Sequence, residues 1–411
     1  MNAAPQPGRN AAPIILDVSR LLSRASRRVP TGIDRVEHAY ATGLHRVAPT
    51  RLRYAAVHPL GRFTHLPTAR TREFVERMGD EWLHAMPTGD IGGDAKILAR
   101  RLQAGMMIPR TNPRFLHRTA GRPTYLLVSH HHLHQPELIE AAQRRLGATF
   151  VCFIHDLIPI EFPEFGRPLE AAKHRRRMET ATRYADALVF NSAATRDALL
   201  PFLERAGRDV PLLVAPLGVG PLPTSPQAVP DRPYFLYIGT IEPRKNHLLL
   251  FNIWRRLALE MGERTPRLVL VGQRGWENEM VVDVLERSEI LRDHIVEHNA
   301  LPDETVRTLT AGARAVLLPS FAEGYGLPVA EALAAGTPVL CSDLPALREV
   351  GGAAPDYLDP LDGLGWAAAI RDYTQPDSPG RARAVERIAL WTPPGWPDHV
   401  DAVLDVIDRL N

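Results

Sequence analysis

The stretch that decides the fold is Ala315-Val-Leu-Leu-Pro-Ser-Phe-Ala-Glu-Gly-Tyr-Gly-Leu-Pro-Val-Ala-Glu-Ala-Leu-Ala-Ala-Gly-Thr-Pro-Val-Leu340. Its first residues form an apolar run that ends at Pro319, which is typical of a parallel strand buried on both faces. A loop with glycines follows, and Pro328 stands at the expected first position of a helix, where its missing N–H costs nothing. Gly336 is the expected helix cap, and the next apolar run begins at Pro338. The stretch therefore predicts a strand, a loop, a helix and a second strand.

The loop and the start of this helix carry groups that suit an anionic ligand. The helix N-terminus at Gly326–Val329 presents unpaired N–H groups and a partial positive charge, which favour a diphosphate. Gly324 and Gly326 let the backbone approach phosphates without an intervening Cβ. Glu331 is expected to accept hydrogen bonds from a ribose diol and Glu323 from sugar hydroxyls, because a carboxylate offers two acceptor oxygens. The competing interpretation is an ordinary turn with two surface glutamates.

Apolar runs alternate with amphipathic stretches along the whole chain. A first series of strands is predicted at residues 13–18, 52–57, 125–129, 149–155, 187–191 and 212–216. A second series is predicted at residues 234–239, 267–272, 295–299, 315–319 and 338–342. Helical periodicity between the runs, as at residues 247–257 and 303–311, indicates a doubly wound α/β sheet in each half. Residues 62–122 are rich in Arg, Thr and Pro, and we expect helices and loops there rather than sheet.

The segment between the two series is unsuited to regular structure. Residues 216–233 contain six prolines, which exclude a helix and a central strand and favour an extended linker. The sequence thus predicts two Rossmann-like domains, residues 1–216 and 234–385, joined by the linker 217–233. A C-terminal helix in residues 386–411 is expected to return to the first domain. A ligand would then lie in the cleft between the domains, at the carboxyl ends of the strands.

The composition excludes several other classes of protein. The chain has 411 residues, of which 23% are charged, and a formal net charge of only +2, so a dedicated nucleic-acid binder is not expected. Cys152 and Cys341 lie in apolar runs and suit a reducing cytoplasm. The polar start lacks the apolar core of a signal peptide, and no run approaches 18 apolar residues. We therefore expect a cytoplasmic protein, with attachment to the inner face of the cytoplasmic membrane as an open alternative.

Two further segments bring cations and glycines to the predicted carboxyl edge of the second sheet. Arg244 and Lys245 lie where the first strand of this half meets a helix, and they are expected to reach a diphosphate from the side opposite Glu331. Two cations there neutralise a leaving diphosphate without a metal. Gly272, at the next strand end, lets a ligand approach the backbone, and Arg274 is placed to touch a base or phosphates. Taken alone, Arg244 and Lys245 are better explained as solvated loop charges, but beside the segment of Glu323 and Glu331 the binding role is favoured.

Glu323 and Glu331, eight residues apart around Gly-Tyr-Gly-Leu-Pro, resemble the E-x7-E signature of retaining glycosyltransferases. Residues 234–362 as a whole resemble glycosyltransferase family 4, which has the GT-B fold of two Rossmann-like domains facing a cleft. The resemblance implies transfer of a sugar from a nucleotide diphosphate sugar to an acceptor, with retention of configuration. It also implies that no cofactor and no metal are required.

The resemblance assigns roles to single residues. Many relatives carry an arginine where this chain has Thr240, so Arg244 is the expected second cation beside Lys245. The residues expected at the catalytic centre are His155, Lys245 and Glu323. Those expected to bind the donor are Gly32, Arg244, Lys245, Gly272, Arg274, Glu323, Gly324, Tyr325, Gly326, Leu327 and Glu331. No residue is expected to bind a metal.

The N-terminal half matches the family less closely. Pro30-Thr-Gly-Ile-Asp-Arg-Val-Glu37 resembles a family loop whose glycine, here Gly32, lies near the donor phosphates. A simple helix start with Asp34 near the cap explains the segment equally well. His155 and Asp156 follow a predicted strand, where the resemblance places a histidine against the donor sugar. Asp156 is expected either to orient this histidine or to cap a turn.

Two basic or histidine-rich segments remain. His130, His131, His132 and His134 follow a predicted strand, and without a cysteine or carboxylate at ligand spacing they favour a loop that meets the acceptor over a metal site. Residues 173–177, Lys-His-Arg-Arg-Arg, indicate a cationic helix face that either is solvated or contacts anionic lipid headgroups.

The expected partners are a nucleotide sugar donor, a glycan or lipid-linked acceptor and an anionic membrane surface, and no nucleic acid. The resemblance is strongest to bacterial mannosyl- and glucosyltransferases that build surface polysaccharides, and residues 241–246 and 275–276 favour GDP-mannose. Two other classes stay open. One is a different GT-B enzyme, such as a sugar-nucleotide epimerase or a phosphorylase, and the other is a non-catalytic protein that binds a nucleotide sugar.

Overall fold

The computed structural model describes residues 12–27, 29–58, 60–84, 93–107, 121–220 and 232–411. The strands of the first sheet are β1 (Ile14–Asp17), β2 (Leu52–Val57), β3 (Phe63–Leu66), β4 (Thr124–Leu127), β5 (Thr149–Ile154), β6 (Ala187–Phe190) and β7 (Leu212–Val214). The helices around it are α1 (Ser19–Arg24), α2 (Gly32–Val47), α3 (Thr68–His84), α4 (Asp94–Met106), α5 (Pro136–Leu146), α6 (Ile158–Glu161), α7 (Glu170–Tyr184) and α8 (Ala193–Ala206).

The second sheet is built in the same way. Its strands are β8 (Tyr234–Ile238), β9 (Arg267–Val271), β10 (Ile295–His298), β11 (Val316–Leu318), β12 (Val339–Ser342) and β13 (Asp356–Leu358). The helices that follow are α9 (His247–Met261), α10 (Glu279–Arg287), α11 (Asp303–Gly312), α12 (Leu327–Ala334), α13 (Pro345–Gly351), α14 (Gly363–Thr374), α15 (Pro379–Ile388) and α16 (Trp396–Arg409).

The strand orders are those of doubly wound domains. The first sheet runs β3-β2-β1-β4-β5-β6-β7 and the second runs β10-β9-β8-β11-β12-β13. All pairs are parallel except β2 with β3. In each sheet the order reverses beside the first strand, which opens a crevice at the carboxyl edge. The predicted α/β class with two Rossmann-like domains is confirmed.

Strand β3 corrects the expectation of helices and loops across residues 62–122. It pairs antiparallel with β2, with Tyr54 opposite Leu66 and Val57 opposite Phe63. Gly61 adopts a φ of +76° in the connecting turn, a conformation that glycine takes without strain. Among the described residues of this segment only four are strand, and the Arg, Thr and Pro residues around them hid their alternation.

Helix α12 begins one residue earlier than the sequence indicated. Leu327 is its first residue, so Pro328 occupies the second position and Glu331 the fifth. Glu331 therefore lies in the second turn of the helix. Proline is tolerated at either of the first two positions, because the N–H groups of the first turn have no helical partner.

The C-terminal helix packs on the N-terminal domain. Residues 386–388 belong to α15, so the final helix starts at Trp396 rather than within the first residues of the 386–411 segment. Its His399 Nε2 lies 2.7 Å from the Tyr40 hydroxyl of α2. A Cβ on Gly43 of α2 would lie 2.9 Å from Val400, so the two helices approach closely. The central part of the predicted linker, residues 221–231, lies outside the described residues.

None of the helices within the described ranges combines the length and apolarity that a bilayer crossing requires.

Candidate active site

The loop between β11 and α12 turns sharply at Gly326. This residue has a φ of +101°, where a side chain is strained, and a Cβ would collide with Leu347. Sequence and geometry therefore agree that this position requires glycine.

Gly324 is the point at which the same loop meets the N-terminal domain. A Cβ there would lie 2.5 Å from the carbonyl oxygen of His155 and 2.8 Å from Cβ of Asp156. Ser192, at the start of α8, donates a hydrogen bond of 2.8 Å to the Gly324 carbonyl. The structure thus brings the His155 backbone of one domain against Gly324 of the other.

Glu323 is held by both predicted cations. The Nζ atom of Lys245 lies 2.5 Å from Oε1 of Glu323, and Nη1 of Arg244 lies 2.9 Å from Oε2. Ser320 donates a further hydrogen bond of 2.6 Å to Oε1. Arg244 also pairs with Glu242 at 2.7 Å, so two carboxylates balance two cations in this cluster.

The cluster is buried, and its charged groups shift one another's pKa values. Only 8% of each side chain of Lys245 and Glu323 is exposed. Burial opposes the charged form of Glu323, but Arg244 and Lys245 outweigh it and lower the pKa of Glu323 to about 2. Burial and the Arg244 guanidinium lower the pKa of Lys245, while Glu323 acts in the opposite direction. Glu323 is therefore a carboxylate at every physiological pH.

Glu331 lies near an ion pair that joins the two domains. Arg35 of α2 forms a bidentate pair with Asp303 of α11, with Nη2 at 2.7 Å from Oδ1. Burial raises the pKa of Glu331, and the charge of Arg35 opposes that effect. Sequence reasoning missed Arg35 and Asp303, although Arg35 belongs to the quoted segment around Gly32.

Gly32 occupies the first position of α2, which faces the first position of α12. Thr31 caps α2, and the Asp34 side chain accepts from the Thr31 N–H at 2.8 Å, completing a capping box. A Cβ on Gly32 would make an ordinary contact of 3.6 Å with Leu327. The first residues of α2 and α12 therefore lie close together across the cleft.

His155 follows β5 and is buried. Its Nε2 lies 2.7 Å from the Val128 carbonyl oxygen, and burial lowers the pKa of His155 to about 4, so the ring is neutral. His130 packs edge-on against it, with ring centroids 5.2 Å apart. Asp156 Oδ1 accepts from the N–H of Ile158, which fits the turn-capping alternative for this aspartate.

The side chains of Tyr325 and Arg274 make their contacts outside the Glu323 cluster. The Tyr325 hydroxyl donates to the Leu217 carbonyl at 2.8 Å, so only its backbone is available to a ligand. Arg274 pairs with Glu286 at 2.5 Å and Glu297 at 2.9 Å, outside the Glu323 cluster. A Cβ on Gly272 would collide with the Gly239 carbonyl, so here the glycine serves strand packing.

Within the described residues, no group of three or more His, Cys, Asp or Glu side chains is arranged to hold a metal ion. The loop that carries His130, His131, His132 and His134 instead contacts other side chains of the N-terminal domain. His132 lies 3.3 Å from Asp17, and His130 packs between His155 and His174.

Two facing Rossmann-like domains define the GT-B fold. Residues 223–354 match the family model described as glycosyl transferases group 1. The C-terminal half of the chain thus contains a glycosyl transferases group 1 domain, and this domain includes Arg244, Lys245, Glu323 and Glu331.

Curated relatives match about a third of the chain. The O-antigen chain mannosyltransferase B of Escherichia coli is 42% identical over 146 residues, which cover 35% of this chain and 38% of the relative. The O-antigen chain mannosyltransferase RfbU of Salmonella typhimurium is 33% identical over 155 residues, covering 36% and 40%. The chain therefore spans about two fifths of the length of these relatives.

Solved structures match the whole chain at the level of fold. The sucrose-phosphate synthase of Thermosynechococcus elongatus gives a TM-score of 0.65 at 16% identity, covering 97% of this chain and 99% of that one. The Anabaena protein HepE, solved in complex with UDP and glucose, gives 0.62 at 16% identity, covering 97% and 98%.

Proposed function

We propose that the protein is a glycosyltransferase that moves a sugar from a nucleotide diphosphate sugar to an acceptor hydroxyl in polysaccharide synthesis. The observation that carries this proposal is the buried cluster of Glu323, Lys245 and Arg244 beside the N-terminus of α12. Cations and a helix N-terminus together form an anion site, and Gly324 places it against His155 of the other domain. The O-antigen mannosyltransferase relatives support the same activity.

The proposed reaction is a single displacement at the anomeric carbon. The acceptor oxygen forms a bond to that carbon while the bond from the carbon to the diphosphate oxygen breaks. The hydroxyl proton passes to the departing diphosphate, whose charge is stabilised by Lys245, Arg244 and the N–H groups of α12. We infer attack from the face that the diphosphate occupies, which retains the configuration. NMR of the product anomer measures this directly, and an inverted product would refute it.

Glu323 and the diphosphate compete for the same cations in this scheme. Both carboxylate oxygens of Glu323 are engaged by Lys245 and Arg244 in the structure. A bound diphosphate takes over part of the pairing with Lys245 and Arg244. The Glu323 oxygens are then free to accept hydrogen bonds from sugar hydroxyls. Glu331, further along α12, is the proposed acceptor for the ribose diol, and the family 4 assignment rests on this pair.

GDP-mannose is the proposed donor, because the two O-antigen relatives are named as mannosyltransferases. We expect GDP-mannose and GDP to raise the melting temperature, by the equivalent of about 2.7 kcal/mol at 100 times the dissociation constant. UDP-glucose and UDP-N-acetylglucosamine serve as competing donors in the same thermal-shift screen. A shift only with the uridine nucleotides would identify a UDP sugar, instead of GDP-mannose, as the donor. No shift with any nucleotide sugar would overturn the proposed function.

Glu331→Ala is expected to weaken binding of the identified nucleotide sugar roughly 10- to 100-fold, since it removes a charged acceptor of hydrogen bonds. Burial raises the pKa of Glu331, so acidification protonates this acceptor earlier than an exposed glutamate. We therefore expect wild-type affinity to fall on acidification while the affinity of Glu331→Ala stays flat. Calorimetric titration measures both, and Glu386→Ala, at an exposed site, is the matched control. If Glu331→Ala binds the nucleotide sugar with unchanged affinity, Glu331 does not accept hydrogen bonds from the ribose diol.

A lipid-linked acceptor would bring the protein to an anionic membrane surface, and α7 is the proposed contact. Lys173, Arg175 and Arg176 are exposed on this helix, and Leu169 before it is 85% exposed. Basic groups beside an exposed apolar side chain favour anionic headgroups.

We expect co-sedimentation with vesicles that contain phosphatidylglycerol and none with phosphatidylcholine alone. The double change Arg175→Glu with Arg176→Glu should abolish it, whereas Arg70→Glu with Arg77→Glu, exposed on α3, should not. Equal binding by both double variants would refute this surface.

A further inference from the structure

Tyr325 joins the loop between β11 and α12 to the chain that connects the two domains. The residue is only 5% exposed, and its hydroxyl donates a hydrogen bond of 2.8 Å to the Leu217 carbonyl. Leu217 lies after β7, the last strand of the first sheet, and before β8, the first strand of the second. The Tyr325 side chain therefore reaches out of its own domain, although Glu323 and Gly324 beside it belong to the proposed donor site.

The segment that receives this hydrogen bond is packed against a second connection between the domains. That connection is residues 389–395, because α15 is paired with the second sheet through an ion pair with β13, and α16 contacts α2. The Val219 N–H donates a hydrogen bond of 3.1 Å to the Pro394 carbonyl. A Cβ on Gly218 would collide with the Trp396 backbone. The Leu217 carbonyl is thus part of a segment held on both sides.

Gly324, the residue before Tyr325, is bonded to the N-terminal domain. Its carbonyl accepts hydrogen bonds from Oγ of Ser192 at 2.8 Å and from Oγ1 of Thr195 at 3.2 Å. Both donors lie at the start of α8 and are buried. Two consecutive loop residues are therefore attached outside the C-terminal domain, and Glu323 directly precedes them.

A separate contact between the domains reports how they are placed. The carboxylate of Glu349 on α13 accepts hydrogen bonds from the N–H groups of Ala193 and Ala194 at 2.6 and 2.8 Å. These N–H groups belong to the first turn of α8, where the helix itself offers them no acceptor. Their protection from solvent therefore depends on the placement of the C-terminal domain against α8.

We propose that Tyr325 is a positioning residue whose hydroxyl fixes the loop of Glu323 to the connection between the domains, and so sets how the C-terminal domain meets the N-terminal one. Losing this bond would leave the buried Leu217 carbonyl without its partner, so the bond favours one placement of the loop. Tyr325 acts through Gly324 and Glu323 and not by touching the substrate. Its effect on sugar transfer rests on the proposed function, whereas its effect on domain placement does not.

Tyr325→Phe removes the hydroxyl and keeps the ring, and Tyr234→Phe is the matched control. The Tyr234 hydroxyl is also buried and donates a hydrogen bond of 2.7 Å to the Leu309 carbonyl, which lies in the same domain. Each variant loses one buried hydrogen bond to a backbone carbonyl. We therefore expect both to lose a similar few degrees of melting temperature in calorimetry.

Hydrogen exchange measured by mass spectrometry tests domain placement in the ligand-free protein. In Tyr325→Phe, the segment with Ala193 and Ala194 should exchange at least about fivefold faster than in the wild type, because the contact with Glu349 opens more often. Tyr234→Phe should leave the exchange of this segment unchanged. Wild-type exchange in Tyr325→Phe overturns the proposal. Equal acceleration in both variants also overturns it, since that result reflects a general loss of stability.

Kinetics of sugar transfer provide the second test. Tyr325→Phe should lower kcat roughly tenfold through misplacement of the loop, while its affinity for the nucleotide sugar stays that of the wild type. Tyr234→Phe should change neither quantity. An unchanged kcat in Tyr325→Phe overturns the positioning role, and a loss of nucleotide affinity would instead place Tyr325 in the donor site itself. A wild type that binds no nucleotide sugar would refute the proposed function and leave the exchange result valid.

Discussion

We expect Lys245→Ala to lower kcat for sugar transfer roughly 10²- to 10³-fold, the size of effect seen when one preorganised group that stabilises transition-state charge is removed. The Nζ atom is 2.5 Å from Glu323 and 8% of its side chain is exposed, so its charge acts where water screens it little. Loss of the cation leaves Arg244 to neutralise the departing diphosphate alone. Single-turnover kinetics with saturating donor measures the chemical step.

The matched control for this change is another of the few lysines in the chain. Lys245 is one of only three lysines, and Lys96, on α4 of the N-terminal domain, is the matched alanine substitution away from the donor loop. Lys245→Arg keeps the charge but replaces a compact ammonium with a planar fork, so we expect partial recovery. If Lys245→Ala transfers sugar as fast as Lys96→Ala, the cation assignment is wrong.

The sequence alone was sufficient for the fold and for the shape of the loop between β11 and α12. Residues 315–340 hold a buried run, a helix-starting proline and the glycines, and each of these local rules survives in β11, Gly326 and α12. Parallel strands buried on both faces give continuous apolar runs, which is why eleven of the strands were predicted from periodicity. The two strands of the described residues that were missed, β3 (Phe-Thr-His-Leu) and β13 (Asp-Tyr-Leu), mix polar with apolar residues and so form no continuous apolar run.

Contacts between the domains were beyond sequence reasoning. Arg35 pairs with Asp303, 268 positions away, and Glu349 of α13 accepts hydrogen bonds from the N–H groups of Ala193 and Ala194 at the start of α8. Such pairs depend on how two separately folded sheets approach each other, and no local propensity encodes that. The ion pair of Glu323 with Lys245 lies within one domain, but its partners are 78 positions apart in the sequence, and local propensity does not encode that contact either.

The second large effect is expected from Glu323→Gln, which should lower the free energy of unfolding by about 3 kcal/mol. Removing one partner of a buried ion pair leaves an uncompensated charge, and here two cations, Arg244 and Lys245, lose their shared carboxylate. Glu242 remains as the only carboxylate paired with Arg244 among the described residues. For a domain of this size, the melting temperature should fall by roughly 6–12 °C in calorimetry.

The pH dependence distinguishes a charge effect from a packing effect. The pKa of Glu323 is lowered from 4.5 to about 2, so its stabilising contribution is complete above pH 4.5 and is lost as the pH falls toward 2. The stability difference between wild type and Glu323→Gln should therefore shrink across that interval. Glu386→Gln, at an exposed site, should show no difference at any pH. A stability difference between wild type and Glu323→Gln that stays constant down to pH 2 would mean that packing, and not charge, causes it.

A nucleotide diphosphate should compensate for the missing carboxylate. In Glu323→Gln the cations Arg244 and Lys245 have lost negative charge that a bound diphosphate supplies again, so the same nucleotide should stabilise this variant more than the wild type. Wild-type binding instead displaces Glu323 from its partners, which offsets part of the gain. Equal nucleotide-induced shifts in the two proteins would show that the diphosphate does not meet these cations. That result would separate the Glu323 cluster from the donor site, whatever the variant does to transfer.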